Sequence, residues 1–240
     1  MCFDISSTKI KQLVKKSQNA SFYQDFDYLP FYHANGFMHP TVSIIKMEKP
    51  QTIYPSTWGL VPDWGLDNIS SFRKKYNTLN AKSETLFTSN MYKESALEKR
   101  CLIIVDGFFE PHQSYDTSIP YFCYIPSTEF SDGRDIFVFA GIYNETNTAS
   151  SCSIITTEAN AFFSEIHNVR KRMPIVLDEK LKGEWLNEKI NKNQIIEIMN
   201  DGFTQKEFKA HPVSQNIYKR NNDNNNPEVL NKFTYNTLFD

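Results

Sequence analysis

The second residue of the chain, Cys2, carries two reactive groups once Met1 is removed. Methionine is normally trimmed from a nascent chain when the next residue is small, which leaves a free α-amine beside a thiol. The amine has an ordinary pKa of about 7.7–8.0 and the thiol of about 8.5, so both supply reactive forms near neutrality. Such a residue can trap an aldehyde as a Schiff base that closes to a thiazolidine. It can equally serve as a hydrolase nucleophile with its own amine as base, or be an ordinary second residue.

A polar segment, NAKSET (80–85), offers a second group of functional side chains. The simplest interpretation is a helix start, with Asn80 or Ser83 as N-cap and Glu84 in the first turn. The functional interpretation makes Asn80 a hydrogen-bonding group near a sugar and places Lys82 on a phosphate. Both interpretations stay open on local grounds.

Glu110 and His167 are candidates for proton transfer. Glu110 follows the strand-like run CLIIVDG (101–107) among aromatic residues, where burial could raise its pKa toward neutrality. A surface turn with a solvated carboxylate is the alternative. His167 precedes the basic run from Arg170 to Arg172; a structural histidine beside a solvated charged face is the alternative for both.

The ordered combination of these segments resembles the SRAP family (SOS response-associated peptidase, or abasic site processing proteins). The matching segments are Met-Cys at the start, WGLVP (58–62), NAKSET, DGFFE (106–110), His167, RMP (172–174) and HPVS (211–214). The family's versions read Trp-Gly-Leu-Ile-Pro, Asn-Ala-Arg-Ser-Glu, Asp-Gly-Phe-Tyr-Glu-Trp, His followed by Arg-Met-Pro, and Pro-Val-Ser. The resemblance covers about residues 1–215, and residues 1–240 are interpreted as a single SRAP-like domain.

The resemblance implies a bent β-sheet with a positively charged DNA channel and the N-terminal cysteine at its floor. It also implies that Cys2 joins the aldehyde of an abasic site in single-stranded DNA as a thiazolidine, in the DNA damage (SOS) response. Asn80 would orient the amine or sugar, Glu110 would relay protons, and His167 would assist Schiff-base formation. The implied DNA contacts are Lys82, Arg172, Trp58, Trp64, Thr156 and Ser214. No metal or organic cofactor is expected.

Several residues depart from the family pattern. Phe3-Asp4 replaces Gly-Arg, so one phosphate-binding arginine is absent and an acid takes its place. Lys82 replaces an arginine, which keeps the charge but loses the fork geometry. Pro111 stands where a tryptophan usually follows the glutamate, and three extra residues separate His167 from Arg172. These changes concern DNA affinity and channel shape more than the covalent chemistry.

Two other functions stay open. The first is an N-terminal cysteine peptidase, autoproteolytic or acting in trans, that uses Cys2, His167 and Glu110. The second is a non-covalent single-stranded DNA binder without active chemistry, because Phe3-Asp4 departs from the usual sequence.

Composition sets limits on the partners. The 240 residues include 26 Lys and Arg against 28 Asp and Glu, a formal net charge of -2, so nucleic acid would have to bind a local basic face. The first ten residues lack the pattern of a secretory signal, and no run approaches the ~20 apolar residues of a membrane helix. Cys101, Cys123 and Cys152 lie in apolar runs and are interpreted as buried structural thiols. We expect a cytoplasmic monomer, associated with the nucleoid during DNA damage.

Hydrophobic periodicity predicts an α+β fold: one domain built on a strongly bent, mainly antiparallel, barrel-like β-sheet with peripheral helices. Helices are predicted over 6–18, 81–98, 158–167, 178–187 and 193–201. Strands are predicted over 41–47, 51–54, 101–107, 120–126, 135–142, 152–157, 173–177 and 207–213. Residues 216–240 are predicted to be a polar loop and C-terminal tail, since RNNDNNNP (220–227) cannot build a core.

Overall fold

The computed structural model describes residues 2–24, 26–146, 149–219 and 224–235. Its strands are β1 Asp4–Ser7, β2 Ser21–Phe22, β3 Phe31–Asn35, β4 Thr41–Lys46, β5 Thr52–Trp58, β6 Asn80–Lys82, β7 Arg100–Val105, β8 Gly107–Ser114, β9 Thr117–Tyr124, β10 Phe137–Glu145, β11 Ser150–Glu158, β12 Arg172–Pro174, β13 Val176–Leu177 and β14 Lys209–Pro212. Its α-helices are α1 Lys11–Gln18, α2 Ile69–Lys75, α3 Lys93–Glu98, α4 Ala161–Ile166, α5 Glu179–Leu186 and α6 Lys192–Asp201.

The strands form two sheets, one of which curls into a ring. The larger sheet runs β12-β11-β10-β7-β4-β5-β2, and a parallel pairing of β11 with β5 joins Cys152 to Trp58 and closes the curl. The smaller sheet has the order β14-β9-β8-β1-β3. Most pairings are antiparallel, so the predicted α+β class with a bent, barrel-like, mainly antiparallel sheet is confirmed.

Alternation along the ring strands separates two hydrophobic cores. In β7, Leu102 and Ile104 join a core that includes Ala96 of α3 and Trp185 of α5. The residues between and beside them, Cys101, Ile103 and Val105, join a second core. Because side chains alternate between the faces of a strand, one apolar run supplies both cores. The second core also takes residues from β1 and β8, so it lies between the ring and the smaller sheet.

A third core covers the other face of the smaller sheet. Phe109 of β8 and Phe122 of β9 pack there against Val213 and against Val229 and Leu230 near the C-terminus. Asn226 caps the 3-10 helix Pro227–Leu230 by accepting a hydrogen bond from Glu228. The prediction that 216–240 is only a polar loop is therefore wrong for this segment, because its apolar residues find a sheet face to cover. Residues 220–223 of the predicted polar stretch lie outside the described residues.

Several predicted elements have different bounds. The helix predicted over 6–18 begins at Lys11, because Ser6 and Ser7 belong to β1. The helix predicted over 81–98 is wrong at its start: residues 80–82 form β6, and α3 begins only at Lys93. The strand predicted over 173–177 is divided in two, as β12 and β13 pair with different strands.

Only Asp106 separates β7 from β8. Asp106 donates its backbone N–H to the Ser6 oxygen, and β8 begins at Gly107, where a Cβ would meet the Phe122 ring at 2.3 Å. Glu110 consequently lies within a strand and not beyond a strand end.

Cys101, Cys123 and Cys152 are buried free thiols, as predicted, and Cys2 is buried as well. Among the described residues, no helix combines the length and the apolar character needed to cross a bilayer.

Candidate functional site

Cys2 lies at the entrance to β1, and β1 is flanked on both sides by other strands of the smaller sheet. Its side chain is fully buried in the core between the sheets, with Sγ 3.8 Å from the backbone oxygen of Asp4. The Asn80 side chain donates from Nδ2 to the backbone oxygen of Cys2 at 2.8 Å. Asn80 is held there because β6 pairs in parallel with β11, where Asn80 lies opposite Ile154.

The other end of the Asn80 amide is a buried acceptor. Among the residues that the structure describes, the side-chain Oδ1 of Asn80 has no hydrogen-bond partner. The backbone oxygen of Asn80 accepts from the Tyr92 hydroxyl at 3.2 Å. Buried polar atoms are rarely left in this state, so such an atom beside a reactive residue is a candidate ligand contact.

Glu110 approaches Cys2 from β8. The pairing of Asp4 with Phe109 places Glu110 beside the start of β1, and its side chain is 0% exposed. Burial raises the pKa of this carboxyl to about 7, because the charged form is costly away from water. The alternative of a solvated surface carboxylate is therefore wrong.

His167 follows α4 and faces Glu110. Its Nδ1 lies 3.1 Å from the backbone oxygen of Arg172 and 3.3 Å from Oε2 of Glu110. A carbonyl oxygen only accepts, so Nδ1 carries the ring proton and Nε2 is the ring's proton acceptor. Burial, with Arg170 and Arg172 contributing, lowers the pKa of His167 to about 4, so the imidazole is neutral at pH 7.

The Cys2 thiol is held in its protonated form. Burial raises its pKa well above the ordinary value, and the nearby Glu110 charge raises it further. The thiol is thus a poor nucleophile until its proton is removed, since the thiolate is the reactive species.

Three predicted DNA contacts lie side by side on neighbouring strands. Lys82 is opposite Thr156 in the β6–β11 pairing, and Arg172 donates to the Thr156 backbone oxygen at 2.7 Å. Lys82 is exposed, whereas Thr156 is fully buried and its hydroxyl accepts from Arg172. Thr156, expected as a DNA contact, thus has no surface open to solvent in this structure, and its backbone and hydroxyl oxygens hold Arg172. Arg172 also forms a two-pronged ion pair with Glu84.

The three extra residues after His167 form a local turn. Lys171, in the left-handed conformation, returns its N–H to the His167 oxygen at 2.9 Å, so His167 and Arg172 still meet. The turn carries Val169, 69% exposed, and Arg170 to a pocket of about 300 Å³ that His167 also lines. Arg170 is a candidate contact that the sequence indicated only as part of a basic run.

The departure at Phe3-Asp4 has a local explanation. Asp4 accepts hydrogen bonds from His33 Nε2 and Asn35 Nδ2, both at 2.8 Å, on the neighbouring strand β3. His33 and Asn35 were not predicted, because neither lies in a recognised motif. Phe3 lines the pocket with His167 and Pro111, beside the site.

The two tryptophans differ. Trp58, expected as a DNA contact, is fully buried and donates to the Leu79 oxygen at 2.8 Å, so its ring has no face open to a base in this structure. Trp64 is 53% exposed and packs edge-on against Phe72 and Tyr76.

Ser214 caps the short helix Gln215–Tyr218 by accepting from Asn216 at 3.2 Å. No group of three or more metal-ligating side chains converges within the described residues.

Known proteins share this arrangement of the chain. The model of a family described as SOS response associated peptidase (SRAP) matches residues 1–220. The abasic site processing protein YoqW of Bacillus subtilis is 28% identical over 210 residues, which cover 81% of this chain and 87% of YoqW. The abasic site processing protein YedK of Escherichia coli is 29% identical over 167 residues, 68% of each chain. A crystal structure of a protein from Bacteroides thetaiotaomicron has a TM-score of 0.77 and 27% identity, and covers 97% of this chain and 100% of its own.

Proposed function

Because the chain belongs to the SOS response associated peptidase (SRAP) family, we propose that it captures abasic sites in single-stranded DNA. Removal of Met1 exposes the α-amine of Cys2, which with its thiol joins the abasic aldehyde as a thiazolidine. The similarity to YoqW and YedK, both named as abasic site processing proteins, supports abasic sites as the substrate. The residues around Cys2 support the covalent bond.

The observation that supports this chemistry is the meeting of Asn80, Glu110 and His167 at Cys2. Asn80 bonds the Cys2 backbone at 2.8 Å, and Glu110 lies 3.3 Å from His167. The buried Oδ1 of Asn80 is an acceptor suited to an N–H of the Cys2 amine. These groups supply a nucleophile, an orienting amide, an acid and a base in one buried place.

The first step is opening of the sugar. An abasic sugar is mainly a closed hemiacetal, so one group must remove the hydroxyl proton while another protonates the ring oxygen. Neutral His167 serves as the base. Glu110, with its pKa raised to about 7 by burial, is a proton donor near neutral pH.

The second step joins the two molecules. After ring opening, the protonated His167 returns a proton to Glu110, 3.3 Å away. The Cys2 amine then attacks the aldehyde carbon, and the resulting carbinolamine loses its hydroxyl as water after protonation by Glu110, which recovers a proton from the nitrogen as the C=N bond forms. The thiol then adds to the C=N carbon while its proton passes to the nitrogen, which closes the ring. One water leaves in total. Because the Cys2 thiol has a raised pKa, amine attack precedes sulfur attack.

Phosphate contacts complete the proposal. Lys82 is exposed beside the site, and Arg172 and Arg170 lie next to His167. Phosphate contacts hold a strand without reading bases, which suits a lesion that lacks its base. Trp64 and Ser214 are proposed as outer contacts, and we propose that the protein acts as a monomer in the DNA damage response, in the cytoplasm near the nucleoid.

A peptidase that uses the same residues is the second candidate, because the family description names that activity. The raised pKa of the Cys2 thiol argues against efficient cleavage in trans, since cysteine nucleophiles are activated by lowered pKa values. Autoproteolytic removal of Met1 needs only one turnover and is compatible with this thiol.

Intact mass spectrometry tests the proposal. Protein without Met1, incubated with an abasic oligonucleotide, is expected to gain the oligonucleotide's mass less one water. Protein that retains Met1 is expected to show no such gain, because its Cys2 nitrogen is an amide. An equal gain from both forms would contradict Cys2 as the point of attachment.

A further inference from the structure

Two clefts lie on either side of a pair of aromatic rings next to Cys2. The rings of Phe3 and Phe37 have centroids 5.0 Å apart. Phe3 lines the pocket of about 300 Å³ that contains His167. Phe37 lines a larger cleft of about 950 Å³, which Met38 and Tyr218 also line. The ring pair therefore separates the reaction site from a larger neighbouring space.

The segment that carries Phe37 and Met38 is fixed by several contacts. Asn35 caps the 3-10 turn Gly36–Met38 by accepting from the Phe37 N–H at 3.0 Å, and Gly36 donates to the Phe3 oxygen at 2.7 Å. A side chain at Gly36 would come within 3.0 Å of the Trp58 ring, so glycine allows this close approach. His39, in the left-handed conformation, ends the turn and bonds the Trp58 oxygen at 2.8 Å.

The fixed turn presents its apolar side chains to solvent. Phe37 is 57% exposed and Met38 is 81% exposed, while Tyr218, from the 3-10 helix Gln215–Tyr218, is 43% exposed and lines the same cleft. Isolated exposed apolar residues are ordinary, but three that line one concave space, two of them on a well-anchored turn, indicate a binding surface. A flat apolar ligand could pack on these side chains.

The polar groups of this cleft are largely engaged within the protein. Asn35 donates to Asp4 and accepts from Phe37, so both ends of its amide are used. His33 uses Nε2 for Asp4. The cleft thus offers faces for stacking and few free edges for hydrogen-bond recognition. Lys219, exposed at the rim, supplies a positive charge.

We propose that this cleft receives the intact nucleobase on one side of the abasic nucleotide, stacked on Phe37, with Lys219 near the connecting phosphate. The proposal rests on the proposed function, because it places the flanking base of the strand whose abasic sugar lies at Cys2. Continuity through Phe3 and Phe37 favours this occupant, since these two rings, with centroids 5.0 Å apart, line the two clefts and so make them neighbours. Base identity is expected to matter little beyond stacking strength.

A coupling experiment between protein and DNA tests the cleft. The ligands are single-stranded oligonucleotides with a tetrahydrofuran abasic analogue, which cannot form the covalent bond, and with the 5′ or the 3′ flanking base also replaced by tetrahydrofuran. For the unchanged protein, loss of one of these bases should weaken binding by about fivefold or more. In Phe37→Ala the same loss should change Kd less than about twofold, whereas Phe37→Tyr should restore the sensitivity.

Controls separate stacking from folding. Leu97→Ala removes a side chain of similar exposure from α3, the helix whose Ala96 packs in the core with Trp185. This variant should keep the full sensitivity to base loss. Met38→Ala should reduce it partly. Thermal unfolding of each variant checks that the turn is intact, and Phe37 is exposed enough for its truncation to be tolerated.

The outcomes are distinct. Coupling between Phe37 and the base on one flank supports the cleft, and coupling at neither flank, or equally at both, overturns it. Adduct formation on authentic abasic DNA without coupling leaves the proposed function and removes only the cleft. Coupling without any adduct removes the covalent chemistry and leaves the cleft. If no single-stranded oligonucleotide binds, both proposals are wrong.

Discussion

Glu110 and His167 have opposite protonation preferences although they lie 3.3 Å apart. Burial raises the pKa of the carboxyl to about 7 and lowers that of the imidazole to about 4, since burial disfavours the charged form of each. Between these values the pair holds its proton on the carboxyl. The pair therefore acts as a neutral acid beside a neutral base, which is the state that sugar opening requires.

The first prediction concerns the pH dependence of adduct formation. The protonated form of Glu110 is lost as pH rises through about 7, so the rate should fall on that side with an inflection near the same pH. Glu110→Gln should slow adduct formation about 100-fold and remove the inflection. Single-turnover rates between pH 5.5 and 8.5 measure both effects. An unchanged inflection in the variant would assign it to another group, such as the α-amine.

Stability supplies an independent check on the same group. A carboxyl whose pKa is raised on folding stabilises the protein fully below its unfolded pKa of about 4.3. That contribution is lost as pH rises through about 7. The free energy of unfolding of Glu110→Gln, relative to the unchanged protein, should therefore increase from pH 5 to pH 8. His167, whose pKa is lowered from 6.5 to about 4, loses its contribution progressively as pH falls from about 6.5 to about 4, and this loss cancels in the comparison because both proteins carry His167.

The second prediction separates the amine from the thiol of Cys2. Cys2→Ala keeps an α-amine after Met1 removal but has no sulfur to close the ring. It should give no heat-stable adduct on denaturing gels, yet a Schiff base that borohydride traps. Cys152→Ala removes another buried free thiol and should form the adduct normally. A heat-stable product from Cys2→Ala without reduction would refute the thiazolidine.

At the scale of elements, Asp106 anchors the strand that carries Cys2. Its carboxylate, 1% exposed, accepts from Ser6 Oγ at 2.7 Å and from the Thr8 N–H at 2.9 Å, and lies 3.7 Å from Lys9 Nζ. These contacts fix the end of β1 against the β7–β8 junction. The anchor explains how DISS, a polar sequence, forms a buried central strand.

The third prediction follows from this anchor. Asp106→Ala leaves buried donors without a partner and should lower the free energy of unfolding by about 2–4 kcal/mol. Asp116→Ala changes an exposed carboxylate in the β8–β9 turn and should cost less than about 0.5 kcal/mol. Urea denaturation measures both. Equal values for the two variants would mean that the Asp106 contacts contribute no net stability.

The elements also mark where sequence reasoning succeeds. Continuous apolar runs predict β7 and β10, because strands whose two faces join two cores are apolar on both sides. Local pattern fails at β1, β3 and β6, which exist through pairing with strands distant in sequence. Asn80–Lys82 suits a helix start locally, and only its pairing with β11 makes it a strand. For the same reason, motifs predicted that Cys2, Asn80, Glu110 and His167 belong together, whereas the Asp4 partners His33 and Asn35 carried no local signal.

At the scale of the whole molecule, a formal net charge of -2 gives no long-range attraction to DNA. Binding must depend on a few local cations, and Arg172 is already paired with Glu84. Lys82, exposed on β6 two residues after Asn80, is therefore a cation available for a phosphate, as is Arg170 beside His167.

The fourth prediction is a salt dependence with a small slope. Each phosphate contact on single-stranded DNA contributes about 0.7 to the slope of log K against log salt. Lys82→Ala should reduce the slope by about that amount, while Lys180→Ala, at an 85% exposed side chain on α5, should leave it unchanged. Titrations of tetrahydrofuran oligonucleotides at several salt concentrations provide the slopes. The same slope in Lys82→Ala and the unchanged protein would exclude a phosphate contact at Lys82.

The central position of β1 has a consequence for biosynthesis. Ile5 pairs with Phe108, so the strand that carries Cys2 cannot be enclosed on the ribosome until more than a hundred residues have been translated. Methionine aminopeptidase should therefore act during that interval and lose access afterwards. Met1-retaining protein can be treated with this aminopeptidase either in its folded state or while unfolded in denaturant, with refolding afterwards. The difference in the fraction of Met1 removed measures how completely maturation depends on timing.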